Sequence, residues 1–344
     1  MAYTTINKST DYFNTKLHTG TGSTTTITGV GFQPDWTWWK SRSNTVNHAT
    51  YDSVRGGSKL LRPNQTNAEQ TNAAVSAFTS DGVTLTGGDA FTNTSSYTYA
   101  SWNWKAGTTG SGTTTGSGTG KAYSYSVNTT AGFSIVKYTG NGTSGQQIPH
   151  HLGVVPKMII QKRLTTDGAG WNVYHHSLGL NYLMLQSSNA EASDSGKYNA
   201  NPTSTYVQIG NDGGMNTNDA EHILYCFAEK TGYSKFGSYR GDGDADGTFV
   251  YTGFKPAFII LKKSSGSEDW EMFDNKRLGY NVDNNNLVPN TNSAEATSDR
   301  LDIVSNGFKL RASSGSVNAS GAAYIYLAFG QSLVGSNNVP CTAR

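Results

Sequence analysis

Carboxylates at alternate positions, in Asp242-Gly243-Asp244-Ala245-Asp246-Gly247, come nearer to a chemical motif than any other spacing in this sequence. Hard oxygen ligands at alternate positions ahead of a glycine open a calcium-binding loop. The imitation stops early, because the twelfth position is Gly253 instead of a bidentate Glu and no helical pattern flanks the segment. An Asp/Gly turn between two strands is the favoured reading. Asp242, Asp244 and Asp246 stand as the candidate metal ligands, and no cofactor is expected. Arg240-Gly241-Asp242 spells a tripeptide known as an integrin ligand, but the corresponding loops of the repeats described below lack it.

The pairs His150-His151 and His175-His176 could supply imidazoles to zinc. Adjacent residues on a strand point to opposite faces, however, so packing or surface roles are expected. Trp36, Trp38, Trp39, Trp102, Trp104, Trp171 and Trp270 invite stacking on sugar rings. Trp171 and Trp270 share one repeat position, and Trp36 aligns with Met158 and Phe258, so most read as core. Trp39, which follows Trp38 and must face the other way, is the candidate exposed ligand-binding residue. No nucleophile elbow, phosphate-binding glycine loop or metal-spaced Cys/His set is present, and a non-enzymatic protein is expected. Carboxylate pairs for glycoside hydrolysis depend on a separation that only the fold reveals.

The elements that carry these residues are β-strands. Short runs rich in Tyr, Val, Ile, Phe, Trp and Thr alternate with Gly, Asn, Asp and Ser clusters, without a long stretch of helical period. Three segments line up. Pro34 to Lys40, Pro156 to Lys162 and Pro256 to Lys262 each hold an apolar core between a Pro and a Lys six residues on. Asn67-Ala68-Glu69, Asn189-Ala190-Glu191 and Ser293-Ala294-Glu295 repeat in the same register, as do the closing strands that end at Trp104, Phe227 and Phe329. In that register Asp52 and Asp274 align with His175, and His48 aligns with Trp171 and Trp270. Units of about 100 residues are large enough to be domains with their own cores.

The expected architecture is therefore all-β, with three tandem β-sandwich domains (jelly-roll or lectin-like) of one repeated unit. Residues 1–105 form the first, 122–231 the second, 232–332 the third and 333–344 a C-terminal tail. The Gly/Ser/Thr tract 106–121 has nothing to bury and reads as a flexible linker, leaving a looser first module beside a rigid second and third. Runs of consecutive apolar residues, such as Ile259-Ile260-Leu261, predict central strands covered on both faces. Lys40, Arg42, Lys162, Arg163, Lys262 and Lys263 end these strands and are expected to reach solvent, where they discourage edge pairing. Ser80-Asp81-Gly82 and Ser305-Asn306-Gly307 predict turns with positive φ before a strand.

The 344 residues carry a formal net charge of only +2, with no Lys/Arg run, so nucleic acid is not an expected partner. An aromatic content of 11% separates the chain from disordered polar tracts. No apolar stretch approaches a membrane span and no secretory h-region opens the chain, so no membrane insertion and synthesis as a soluble product in a cytoplasm are expected. Cys226 and Cys341 are the two cysteines, which provide no disulfide framework.

The sequence resembles the tandem β-sandwich virion proteins of marine tailed bacteriophages, including cyanophages, over nearly its whole length. The resemblance is carried by Tyr12-Phe13-Asn14-Thr15-Lys16-Leu17 with Gly31-Phe32-Gln33-Pro34-Asp35-Trp36, by the segment Ala131 to Gly142, and by the segment Gly232 to Tyr239. It continues through Tyr251 to Phe258, Phe273-Asp274-Asn275-Lys276-Arg277 and the closing Thr342-Ala343-Arg344. It implies a tail fibre or appendage on the virion surface, assembled in the host cytoplasm and contacting host-surface glycan. Other virion proteins of the tail or capsid are the implied partners, and a homo-oligomer, a trimer by analogy, is the implied state. A capsid or tail decoration protein without a receptor is the alternative, and a tail-borne glycan-degrading enzyme the third reading.

Overall fold

The computed structural model describes residues 3–277, 281 and 284–335. Cys341 and the closing Thr342-Ala343-Arg344 lie outside them. All strand pairs are antiparallel, and the chain is all-β, with large sheets packed on smaller ones. Four strands recur three times. An opening strand (Phe13–Thr19, Phe133–Thr139, Ser234–Arg240) pairs with a closing strand (Thr98–Trp104, Glu221–Phe227, Ala323–Gln331). The closing strand pairs with a Pro-to-Lys strand (Trp36–Ser41, Met158–Arg163, Lys255–Lys263). A flanking strand (Ala49–Asp52, Trp171–His175, Trp270–Asp274) follows. The recurring set gives three modules, each with a second, three-stranded sheet.

The side-chain period of two explains how central strands are buried on both faces. In Trp36–Ser41, every residue is buried. Trp39 faces the second sheet of its own module, with Tyr51, Leu60, Val75, Val83 and Leu85. Trp36 and Trp38 face the other way into a core shared by all three modules. Met158 and Ile160, and Phe258 and Ile260, join that shared core, while Ile159 and Ile259 turn to the private cores of their modules. At its centre Trp36 stacks on Tyr225 of the second module, with ring centroids 4.5 Å apart. Phe13 meets Phe258 and Phe329 of the third at 5.3 Å each, and Phe227 meets Phe329 at 6.0 Å. Aromatic pairs of this kind add about 0.5–1.5 kcal/mol each beyond area burial.

The shared core corrects the expectation of a looser first module, which packs on both of the others. The tract 106–121 is not a linker. Thr108–Thr113 pairs along Ala122–Asn128, which in turn pairs with the opening strand of the second module. Gly110 lies opposite Tyr125 and Gly112 opposite Tyr123, and a Cβ on either glycine would meet the facing phenol oxygen at 2.6 and 2.7 Å. The tyrosines lie across the bare glycine backbone and give the strand the apolar cover its own side chains lack. The two Asx-Gly turns are present, but a different constraint fixes the glycines: a Cβ on Gly82 would collide with Ile27 O, and one on Gly307 with Val250 O. Gly82 has φ +152°, whereas no positive φ marks Gly307.

Candidate functional site

The chemistry-bearing side chains converge on the seams between modules, and the seams obey one cyclic rule. Glu69 N–H donates to Leu164 O, Glu191 N–H to Ser264 O and Glu295 N–H to Arg42 O. Each Ala-Glu landmark thus clips the end of the next module's Pro-to-Lys strand, and the third clips the first. The slot of His48, Trp171 and Trp270 runs the other way round: Trp171 Nε1 bonds Arg62 O at 2.9 Å, Trp270 Nε1 bonds Met184 O at 3.1 Å, and His48 Nε2 contacts Val288 O at 3.1 Å. Asp52, His175 and Asp274 also reach across. Tyr225 OH donates to Asp52 Oδ2 at 2.7 Å, Trp102 Nε1 donates to Asp274 Oδ2 at 3.1 Å, and His175 Nε2 lies 3.3 Å from Tyr326 O. Three sandwiches therefore close into a ring within one chain.

Two of the seams carry buried ionic triads. Arg55 bridges Asp52 at 2.5 Å and Glu69 at 3.2 Å, and Arg277 bridges Asp274 at 2.6 Å and Glu295 at 3.0 Å. Arg42 adds a further pair to Glu295 at 2.8 Å. Buried charges of this kind persist only when paired and fully hydrogen-bonded. In the second module His175 and Leu178 replace the Asp-Arg pair, and the third member, Glu191, accepts from Asn181 Nδ2 at 3.1 Å. Burial holds the His175 imidazole down at about 3, so it faces Tyr326 O as a neutral ring.

The strand-ending lysines overturn an expectation. Lys40, Lys162 and Lys262 are fully buried. Their ammonium groups donate to carbonyls: Lys40 to Ser41 O (2.6 Å), Lys162 to Ala169 O (2.7 Å) and Thr66 O (3.2 Å), Lys262 to Lys263 O (2.6 Å) and Ser188 O (3.1 Å). Loss of water lowers each from the ordinary 10.5 to about 8. The second and third of these lysines reach the preceding module, so they tie a seam instead of guarding an edge. Arg42 is likewise spent in its seam ion pair.

Trp39 is not a surface residue. It is wholly buried, its Nε1 donates to Thr37 Oγ1 at 2.9 Å, and the His18 ring packs edge-on at 5.8 Å. Trp38 and Trp39 do face opposite sides, but a core lies on each. All seven tryptophans are at most 2% exposed. Asp242, Asp244 and Asp246 lie on an exposed loop and do not converge on a point. Asp242 Oδ1 accepts from Asp244 N–H and Asn318 Nδ2, Asp244 Oδ1 accepts from Asp246 N–H, and Asp246 pairs with Lys309 and Arg311. The N–H of Asp244 and the Asn318 amide hold Asp242 below its ordinary value; Lys309 does the same for Asp246. No cluster of three or more His, Cys, Asp or Glu side chains suited to a metal occurs among the described residues.

The histidine pairs also serve packing. His150 Nδ1 accepts from Leu152 N–H and its Nε2 faces Thr203 O, whereas His151, at φ +60°, stacks on Tyr125 at 3.7 Å. Exposed aromatic surface gathers elsewhere, on the outer sheet of the third module. Phe249 and Tyr251 share the outward face of strand Phe249–Tyr251, and Tyr3 reaches in to bond Gly253 O at 2.9 Å. The outward alternation of Phe249 and Tyr251 around apolar Val250 was a signal available in the sequence.

A family model described as a domain of unknown function (DUF7483) matches residues 8–332, across all three modules. The chain belongs to that family. No curated protein and no solved structure matches it.

Proposed function

We propose that the chain is a non-enzymatic structural protein of a bacteriophage virion, part of a tail fibre or appendage that contacts host-surface glycan. The resemblance of its sequence to marine phage virion proteins supports the setting. The observation that carries the non-enzymatic reading is the use made of the reactive side chains: the buried Asp, Glu, Arg, Lys and His groups at the seams are engaged in holding modules together. Threefold packing is met inside one polypeptide, so it does not require a homotrimer. Tyr251, Phe249 and Tyr3 form the exposed aromatic surface suited to a sugar face.

Gold-conjugated antibody against this protein, applied to intact phage particles, tests the setting. Label at the distal ends of tail appendages is the expected result, and label spread over the head would refute the fibre reading in favour of decoration. Binding to host envelope polysaccharide, lost in Tyr251→Ala without loss of folding, tests the contact surface.

A further inference from the structure

The three opening strands hold equivalent places, yet their outer edges are finished differently. In an antiparallel pair, alternate residues turn their main-chain groups toward the partner and the others turn away. Lys105 N–H donates to Tyr12 O and Gly20 N–H to Tyr97 O, so the even-numbered residues of Phe13–Thr19 face the closing strand. Thr15 and Leu17 face outward. The counterpart of Thr15 in the second module is Ile135, which pairs with Ser126 of strand Ala122–Asn128. Its counterpart in the third is Phe236, whose carbonyl accepts from His176 Nε2 at 2.9 Å.

Asn275 stands toward the first module as His176 stands toward the third: His176 N–H bonds Lys157 O, and Asn275 N–H bonds the corresponding Ala257 O. The shorter Asn275 side chain makes no bond to Thr15, and its Oδ1 has no partner among the described residues. The Thr15 hydroxyl is also buried without a partner. Beside this edge lies a cleft of about 300 Å³ lined by Asn14, Thr15, Lys16, Leu17, Gly29 and Lys276. Neither Lys16 nor Lys276 forms an ion pair among the described residues; Asp81, near Lys16, is engaged by Gly29 N–H and Gly31 N–H.

We propose that the outer edge of Phe13–Thr19 accepts an extended acidic segment of a partner protein as an added β-strand. Strand addition satisfies outward N–H and C=O groups in register, which a sugar does not. The second module shows the completed form, with Ala122–Asn128 seated on the equivalent edge. A strand seated likewise places the residue at the Tyr125 position opposite Lys16, and the one at the Ser126 position opposite Thr15, beside the cleft that Lys276 also lines. Two ammonium groups without an ion pair among the described residues favour carboxylates there. They also oppose a second copy of this chain, whose edge would set Lys16 against Lys16. The site is independent of the glycan surface on the third module.

The test uses the full chain and a blocked heptapeptide with the sequence of residues 122–128 carrying Tyr125→Glu and Ser126→Glu. A control peptide carries Lys at both positions. The acidic peptide is expected to bind about tenfold more tightly than the control, and to slow hydrogen exchange at the Thr15 and Leu17 amides. Lys16→Glu should reverse the peptide preference. Asn275→His, which installs the cap seen in the third module, should weaken binding without lowering the melting temperature. The proposal is overturned by absence of acidic-peptide binding at about millimolar concentration, by protection at another strand edge, by an unchanged preference in Lys16→Glu, or by a dimer in sedimentation that protects the same two amides.

Discussion

Raising the pH from 7.5 to 9 is expected to stabilise this protein, because three buried lysines bind protons more weakly folded than unfolded. Lys40, Lys162 and Lys262 each titrate at about 8 in the folded chain against 10.5 when unfolded. Below pH 8 both states are protonated and the folded state bears the full cost of the buried charge. Between 8 and 10.5 the unfolded state holds more protons, so stability rises with pH. A tenfold difference in proton affinity is worth about 1.4 kcal/mol, so each lysine returns about 1 kcal/mol over this interval and the three together about 3–4 kcal/mol. Cys226 and the buried tyrosines oppose this: burial raises them, and they lose stability as pH climbs through their unfolded values of 9.0 and 10.0. Below pH 9 that loss is of the order of 1 kcal/mol, leaving a net rise of about 3. Guanidinium denaturation followed by tryptophan fluorescence suits the measurement, since all seven indoles are buried. Lys162→Met should remove about a third of the rise, although it leaves Thr66 O and Ala169 O without their ammonium donor. A flat or falling stability over the interval, or a full rise in Lys162→Met, would refute the account.

Acid should act through the histidines. His150 titrates at about 4 and His175 and His222 at about 3, all lowered chiefly by burial, so stability falls as pH drops from 6.5 toward 4 by about 1 kcal/mol per pH unit per ring; denaturation midpoints at pH 7, 6 and 5 check this. Arg277→Leu leaves Asp274 buried and unpaired and should cost about 3–5 kcal/mol. Adding Asp274→His recreates the uncharged arrangement of His175 and Leu178, and calorimetry should show part of the loss recovered. Trp39→Ala should cost about 3–5 kcal/mol while polysaccharide binding per folded molecule stays unchanged.

The repeat register was legible, and it proved to be the register of the seams. Glu69, Glu191 and Glu295, aligned from sequence, make the same main-chain bond to Leu164, Ser264 and Arg42. Coverage of the Pro-to-Lys strands on both faces was also legible, since Ile259, Ile260 and Leu261 are consecutive. What covers them was not. A run of apolar residues reports two buried faces without saying what lies on each: neighbouring modules cover Trp36 and Trp38, the second sheet of its own module covers Trp39, and nearby carbonyls take up Lys40, so the surface expected for Trp39 and Lys40 does not exist. The glycine tract misleads for a related reason: Gly110 and Gly112 have no side chain to bury, but Tyr125 and Tyr123 lie across their backbone. The Thr15 edge could not be found at all, because its openness is a difference between three equivalent places.

That difference is what a single-chain ring permits and a homotrimer forbids. Identical subunits must repeat each seam, so a change that opens one edge opens three. Here the seams have diverged in one polypeptide: Asp52-Arg55-Glu69 and Asp274-Arg277-Glu295 are ionic, while His175 and Leu178 replace the Asp-Arg pair with a neutral ring and an apolar side chain packed on the shared core. One opening strand is covered by Ala122–Asn128, one is capped by His176, and one, beside Lys16 and Lys276, has no strand on its outer edge among the described residues. Stability argues against leaving an edge bare, since unpaired main-chain groups recruit unintended strands. Two lysines beside that edge repel a second copy and admit an acidic strand, which turns a packing defect into a single oriented contact on an otherwise threefold body.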